Sequence, residues 1–154
     1  MKKIIPILFF LIFLSVSAQE TVDLKMSELK YEVSKDTTSL KVFANGKLLN
    51  GKYKIIDDKF PTRFSLTEFI DGEADGKSES IHDGILVGTK YFKNGLPNGE
   101  WTVYDNTGKT IMWKIPLVNG KSHGIAWYGD EGEKYYLNDK EVSKEEYEKY
   151  IEKQ

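Results

Sequence analysis

The chain has 154 residues, and its 22 basic and 24 acidic side chains leave a formal charge of −2. So balanced a sequence offers no global field for nucleic acid or an anionic lipid surface, and no run of basic residues marks a local one. It has no cysteine, which excludes a disulfide framework, a lipidated N-terminal cysteine and thiolate metal ligands.

The first 18 residues read as a secretory signal. Lys2 and Lys3 form a basic start, residues 4–14 an apolar stretch too short to read easily as a spanning helix, and Val16-Ser17-Ala18 a small-residue cleavage site. Cleavage after Ala18 predicts an exported chain, periplasmic or secreted, with no integral membrane span left. Residues 19–41 form the next segment. It starts as a loose lead-in of mixed charge up to residue 30. A hairpin comes next, with an alternating strand over 29–33, a turn at Lys35-Asp36-Thr37-Thr38 and a return strand over 40–43. Asn45-Gly46 then suits a type I′ turn, whose two central residues both need positive φ, and predicts a hairpin into residues 47–49. Residues 51–56 look like a first, degenerate copy of the unit that repeats in the middle of the chain, and Asp57-Asp58-Lys59-Phe60-Pro61 turns the chain.

That repeat is marked by glycines. Asp71-Gly72 is followed by Gly76, Asn94-Gly95 by Gly99, and Asn119-Gly120 by Gly124. The second glycines stand 23 and 25 residues apart, and a third follows each after 8 or 9 residues, at Gly84, Gly108 and Gly132. Repetition at this period means stacked copies of one small unit. In the clearest copy a strand ends at Tyr91-Phe92 and residues 94–99 reverse the chain. Residues 101–104 form a strand, 105–108 a turn and 110–115 the return. One hairpin alone buries too little apolar surface to persist in water, so successive hairpins must pair edge to edge. Residues 42–142 are assigned to this array. Residues 143–154 change period: Ser143 and Glu146 match a capping box, and Val142, Tyr147, Tyr150 and Ile151 fall on one helical face. This predicts a helix over 144–153 that caps an end or edge of the sheet. The fold class expected is mainly β: an antiparallel open sheet of repeated hairpins with a short C-terminal α-helix.

Chemistry is harder to find. Acids at Asp71, Glu73 and Asp75 before Gly76 imitate a calcium loop, but position 12 is His82 where a bidentate Glu is required, and no helices flank it. His82 and His123 lie in different copies without ligand-spaced neighbours. No nucleophile elbow, phosphate loop or dinucleotide fingerprint is present, and no pair of acids stands out. No catalytic residue, metal ligand or cofactor is assigned, and a non-enzymatic chain is expected. The aromatics Trp101, Tyr104, Trp113, Trp127, Tyr128 and Tyr135 follow the repeat. Alternation puts Trp101 and Val103 on one face and Tyr104 on the other. They read either as an exposed tyrosine stripe suited to a partner or as rings that a thin sheet uses on both faces to stay folded. Tyr104, Trp127, Tyr128 and Tyr135 are the candidate partner-binding residues.

At these residues the chain resembles the MORN-repeat variant family, whose units read roughly as Asn-Gly, three residues, Gly-x-Trp-x-x-Tyr, a glycine turn and a return strand. Asn94-Gly95, Gly99, Trp101, Tyr104, Asp105 and Gly108 match closely, and Asn119-Gly120, His123-Gly124, Trp127, Tyr128 and Gly132 make the next unit. The unit at Asp71-Gly72 keeps Gly76 and Gly84 but has Ser80-Ile81-His82 in place of the aromatics. The resemblance covers about residues 67–137, and starts from residue 42 if the degenerate copy counts. It implies an open β-hairpin array used for binding, with no catalytic residues. Many bacterial members of that family are labelled antitoxin- or immunity-like, and its eukaryotic relatives are linked to membranes and scaffolding. The function expected is an exported interaction module whose partner is another protein; the alternative is an envelope scaffold that binds a glycan or lipid surface.

Overall fold

The computed structural model describes residues 20–34 and 39–154. The expected signal segment and the turn at 35–38 lie outside them. The described chain enters as β1 (Val22–Lys25), makes one 3-10 turn (Met26–Glu28) and builds a small antiparallel sheet from β2 (Leu29–Val33), β3 (Leu40–Ala44) and β4 (Lys47–Leu48). Nine strands are then successive neighbours in one large sheet: β5 (Gly51–Ile56), β6 (Arg63–Ile70), β7 (Glu73–His82), β8 (Ile85–Lys93), β9 (Leu96–Tyr104), β10 (Ile111–Val118), β12 (Gly124–Tyr128), β13 (Gly132–Leu137) and β14 (Lys140–Val142). The short β11 (Lys121–Ser122) pairs with β10, and β1 closes the other edge beside β5. The mainly β class with antiparallel hairpins therefore holds.

Two expectations for the N-terminal segment change. The lead-in is not loose: β1 runs parallel to β5, from Val22 opposite Tyr53 to Lys25 opposite Ile56. Its alternation explains the pairing, since Leu24 packs toward the core while Asp23 reaches Lys54 on the other face, 3.5 Å away. The boundary drawn between residues 41 and 42 falls inside β3, which pairs with both β2 and β4.

The glycine pairs organise one end of the large sheet. Asp71-Gly72, Asn94-Gly95 and Asn119-Gly120 all take positive φ at both residues, as type I′ turns require. Asn138-Asp139 makes the same turn without glycine, at φ 52° and 69°. Each turn donates a backbone N–H to the hairpin before it: Gly72 to Leu49, Gly95 to Ala74, Gly120 to Pro97 and Asp139 to Ser122, at 2.8, 2.9, 2.7 and 2.8 Å. Side chains just before the second glycines clamp the same turns. Asn50 Oδ1 accepts from Asp71 N at 2.7 Å, Asp75 Oδ2 from Asn94 N at 3.3 Å, and Asn98 Nδ2 donates to Asn119 Oδ1 at 3.0 Å. His123 Nδ1 lies 3.2 Å from Asn138 Oδ1 in the corresponding place.

The reversals are tighter than six residues. Leu96 already faces Lys93, and the strand continues through Gly99 with a register shift. Gly99 has φ +115°, and a Cβ there would lie 3.0 Å from Tyr91 Cβ, so glycine is required twice over.

Leu29, Val42, Leu49, Ile55 and Phe69 form the core, between the small sheet and the first strands of the large one. A backbone hydrogen bond of 2.8 Å from Val42 N to Gly72 O ties the layers together. Beyond β7 no second sheet of described residues covers the first. The helix α1 (Lys144–Ile151) carries both capping-box bonds, Glu146 N to Ser143 Oγ at 3.2 Å and Ser143 N to Glu146 Oε2 at 3.0 Å. It packs on β13 through Tyr147, whose ring centroid is 5.5 Å from that of Tyr135, while Tyr150 stands 5.8 Å from His123. It stops at Ile151, which is exposed rather than on the packed face that its spacing from Tyr147 predicts.

Candidate interaction surface

Successive residues of a strand point to opposite faces, and directly opposed residues share a face. Register across the large sheet therefore sorts its side chains. One face carries the row Glu79, Thr89, Thr102, Lys114, Trp127 and Glu133. Tyr91 (opposite Lys77), Tyr104 (opposite Ile111) and Tyr135 (opposite Ile125) belong to it. The other face carries Ile55, Ser65, Ser80, Gly88, Val103 and Trp113 in a row, together with Lys90, Trp101, Lys134, Tyr128 and Tyr136. The row begins in the core, so this second face is the one the small sheet covers over its first strands.

Trp101 and Val103 thus lie on one face and Tyr104 on the other, as alternation predicts. The candidate residues do not form a single stripe. Tyr104, Trp127 and Tyr135 share the first face, and Tyr128 points from the second. Trp127 and Tyr128 are neighbours in β12 and must point to opposite faces, and the unshifted register from Thr102 through Lys114 to Trp127 puts Trp127 on the face of Tyr104.

On the second face the rings are engaged with each other. Trp101 and Trp113 meet edge to face, with centroids 4.5 Å apart at 80°. Lys90 Nζ stands 3.6 Å from the centroid of Trp101 and 5.9 Å from that of Phe92, where burial pushes the ammonium pKa down. The hydroxyls of Tyr128 and Tyr136 lie 3.4 Å apart, Tyr136 donates to Glu141 Oε2 at 3.5 Å, and Lys134 Nζ is 5.1 Å from the Tyr128 centroid. The hydrogen bond with Tyr128, then burial, holds the Tyr136 phenol well above the ordinary tyrosine range. These contacts are what a one-layer sheet uses in place of a core.

The first face is organised differently. It carries the ion pairs Lys77 with Glu79 at 2.6 Å and Lys114 with Glu100 at 2.8 Å, and Thr102 Oγ1 donates to Glu100 Oε1 at 2.8 Å. Burial pushes the Glu100 carboxyl up, but the bonds from Lys114 and Thr102 outweigh it and the net direction is down. Between these pairs stand Tyr91, Ile125 and Trp127, 41%, 46% and 36% exposed, with Tyr104 half-buried. Tyr91, Tyr104 and Trp127 stack on no other ring among the described residues. Tyr135 is more committed, since it packs on Tyr147 and donates to Glu133 Oε2 at 2.9 Å. The repeat does not single out Tyr91 and Ile125, although strand alternation counted from Thr89 and Trp127 finds them.

The concavities on this face are shallow. Lys52, Leu66, Glu68, Lys77 and Glu79 line an open depression of about 320 Å³, and another is bordered by Ile111, Met112 and Trp127 together with Trp113 and Tyr128 of the second face. Among the described residues no group of three His, Cys, Asp or Glu side chains is placed to hold a metal ion. Asp75 and His123 serve the turn clamps, and His82 is exposed. No helix among the described residues is long and apolar enough to cross a membrane. Compared with known proteins, the chain matches no family model and no curated protein. The arrangement offers a broad, amphipathic aromatic surface rather than converging reactive groups.

Proposed function

We propose that this chain is an exported, non-enzymatic protein-interaction module of the MORN-variant kind, antitoxin- or immunity-like, that binds its partner with the face bearing Tyr91, Tyr104, Ile125 and Trp127. The observation that carries the reading is the contrast between faces. Rings on the second face are consumed in contacts with one another, whereas on the first Tyr91 and Trp127 stand exposed and Tyr104 half-buried, stacked on no other ring among the described residues, beside ion pairs. Tyrosine and tryptophan supply large contact area at low entropic cost and dominate binding hot spots, while paired charges around them form a polar rim. The signal pattern of residues 1–18 supports export.

The chain lacking residues 1–18 is used to capture partners from native exported and envelope fractions, and the captured protein is purified for titration. Changing Tyr104 and Trp127 together to Ala should weaken binding by at least about tenfold, the effect of removing one modest hot spot. Unchanged affinity rejects this face. Retention on envelope glycan or lipid with no protein captured favours the scaffold reading instead.

A further inference from the structure

We propose that Asn45 is a site of spontaneous deamidation, and that the hydrogen-bonded ladder of turns suppresses the same reaction at the chain's other Asn-Gly pairs. The sequence holds five such pairs: Asn45-Gly46, Asn50-Gly51, Asn94-Gly95, Asn98-Gly99 and Asn119-Gly120. In the reaction the backbone nitrogen of glycine attacks Cγ of the preceding asparagine. A C–N bond forms, the side-chain amide leaves as ammonia, and the glycine N–H proton passes through solvent to the leaving group. Water then opens the cyclic imide at either carbonyl, giving aspartate or isoaspartate. Glycine favours the closure because it has no Cβ to obstruct it.

The attacking nitrogen must be free to lose its proton and to swing toward the side chain. Gly95 N is held by Ala74 O at 2.9 Å and Gly120 N by Pro97 O at 2.7 Å. Asn119 is held further through its Oδ1, which accepts from Asn98 Nδ2 at 3.0 Å. That bond also restrains Asn98, whose neighbour Gly99 is built into β9 opposite Leu117. Asn50 Oδ1 accepts from Asp71 N at 2.7 Å, and Gly51 is buried in β5 opposite Phe69. Each of these four must first open its turn or strand before the ring can close.

Asn45-Gly46 is the exception. It joins β3 to β4 at the margin of the small sheet, Gly46 is exposed, and Gly46 N donates to no described residue. Nothing lies within 4 Å of where a Cβ on Gly46 would be. The same turn geometry that is stacked elsewhere is here unstacked, so chemistry that the sequence offers five times is left available once.

The test is peptide mapping by mass spectrometry of the intact chain held in mildly alkaline buffer, beside a sample held in denaturant. In the folded chain Asn45 should convert at least about tenfold faster than Asn94 or Asn119, the factor set by even a small local opening free energy. In denaturant the five sites should converge. Conversion of Asn94 or Asn119 as fast as Asn45 in the folded chain overturns the proposal. So does a denatured sample that keeps the folded ranking, since the order would then belong to the local sequence.

Discussion

The two ends of the large sheet use the same strands and turns but are held by different forces. Over β5–β7 a second sheet supplies the missing half of a core, and Leu29, Val42, Leu49, Ile55 and Phe69 are buried. Over β8–β14 the only buried hydrophobic side chains among the described residues are Leu117 and Ala126, beside Thr89 and Thr102. There the stabilising work passes to backbone pairing, to the ladder of turns and to the ring contacts of one face. A one-layer sheet has two faces and needs side-chain packing on only one of them. The other can be left to a partner.

The contrast between the two ends is most severely tested in the core. Phe69→Ala should cost about 3–5 kcal/mol, as truncation of a buried aromatic does, measured by denaturant unfolding. A loss no greater than that from truncating Trp101 would erase the distinction between the two regions. Gly99→Val should come next at about 1–3 kcal/mol, because a branched side chain is forced to positive φ against Tyr91. Its effect should appear as faster amide exchange in β8 and β9 while the core stays protected, which would separate the two regions again. Smaller still is the coupling between Trp101 and Trp113, expected at about 0.5–1.5 kcal/mol in a double-mutant cycle. Strict additivity would show that the rings do not substitute for a core.

The smallest effect lies in acid. Thr107 donates to Asp105 Oδ1 through its hydroxyl at 2.7 Å and its N–H at 3.1 Å, with Lys109 N at 3.2 Å and Thr110 N at 3.4 Å. The Thr107 hydroxyl bond leads in holding this carboxyl well below the usual carboxylate range. A pKa lowered by folding contributes stability above the unfolded value, about 3.9, and loses it as pH falls through the folded value. Asp105→Asn should therefore be less stable than the parent near neutrality, with the gap closing in strong acid. A gap that does not change with pH would contradict the assigned hydrogen bonds.

Much of the fold is legible in the sequence because its signals are local. Type I′ turns demand residues that accept positive φ, so Asp71-Gly72, Asn94-Gly95 and Asn119-Gly120 announce themselves. The capping box of Ser143 and Glu146 spans one turn of helix and needs nothing distant. The parallel pairing of β1 with β5 is long-range, joined by no turn, and leaves only the alternation of Val22 and Leu24 to hint at it. That the small sheet folds over Ile55 and Phe69 is likewise a matter of tertiary contact. The candidate surface is half legible for a sharper reason. Alternation is valid within a strand, so it separates Trp101 from Tyr104. It also separates the neighbours Trp127 and Tyr128, but which of them shares a face with Tyr104 is set by the register of Thr102, Lys114 and Trp127 across β9, β10 and β12, a long-range pairing that alternation within one strand does not give.

The central claim is that the uncovered first face is the binding face. Its most direct measurement is a calorimetric titration of the captured, purified partner with three forms of the chain: the parent, Tyr104→Ala with Trp127→Ala, and Tyr128→Ala from the second face. The expected result is at least about a tenfold weaker Kd for the double variant and near-parental binding for Tyr128→Ala. Parental binding by the double variant, with loss in Tyr128→Ala, would contradict it.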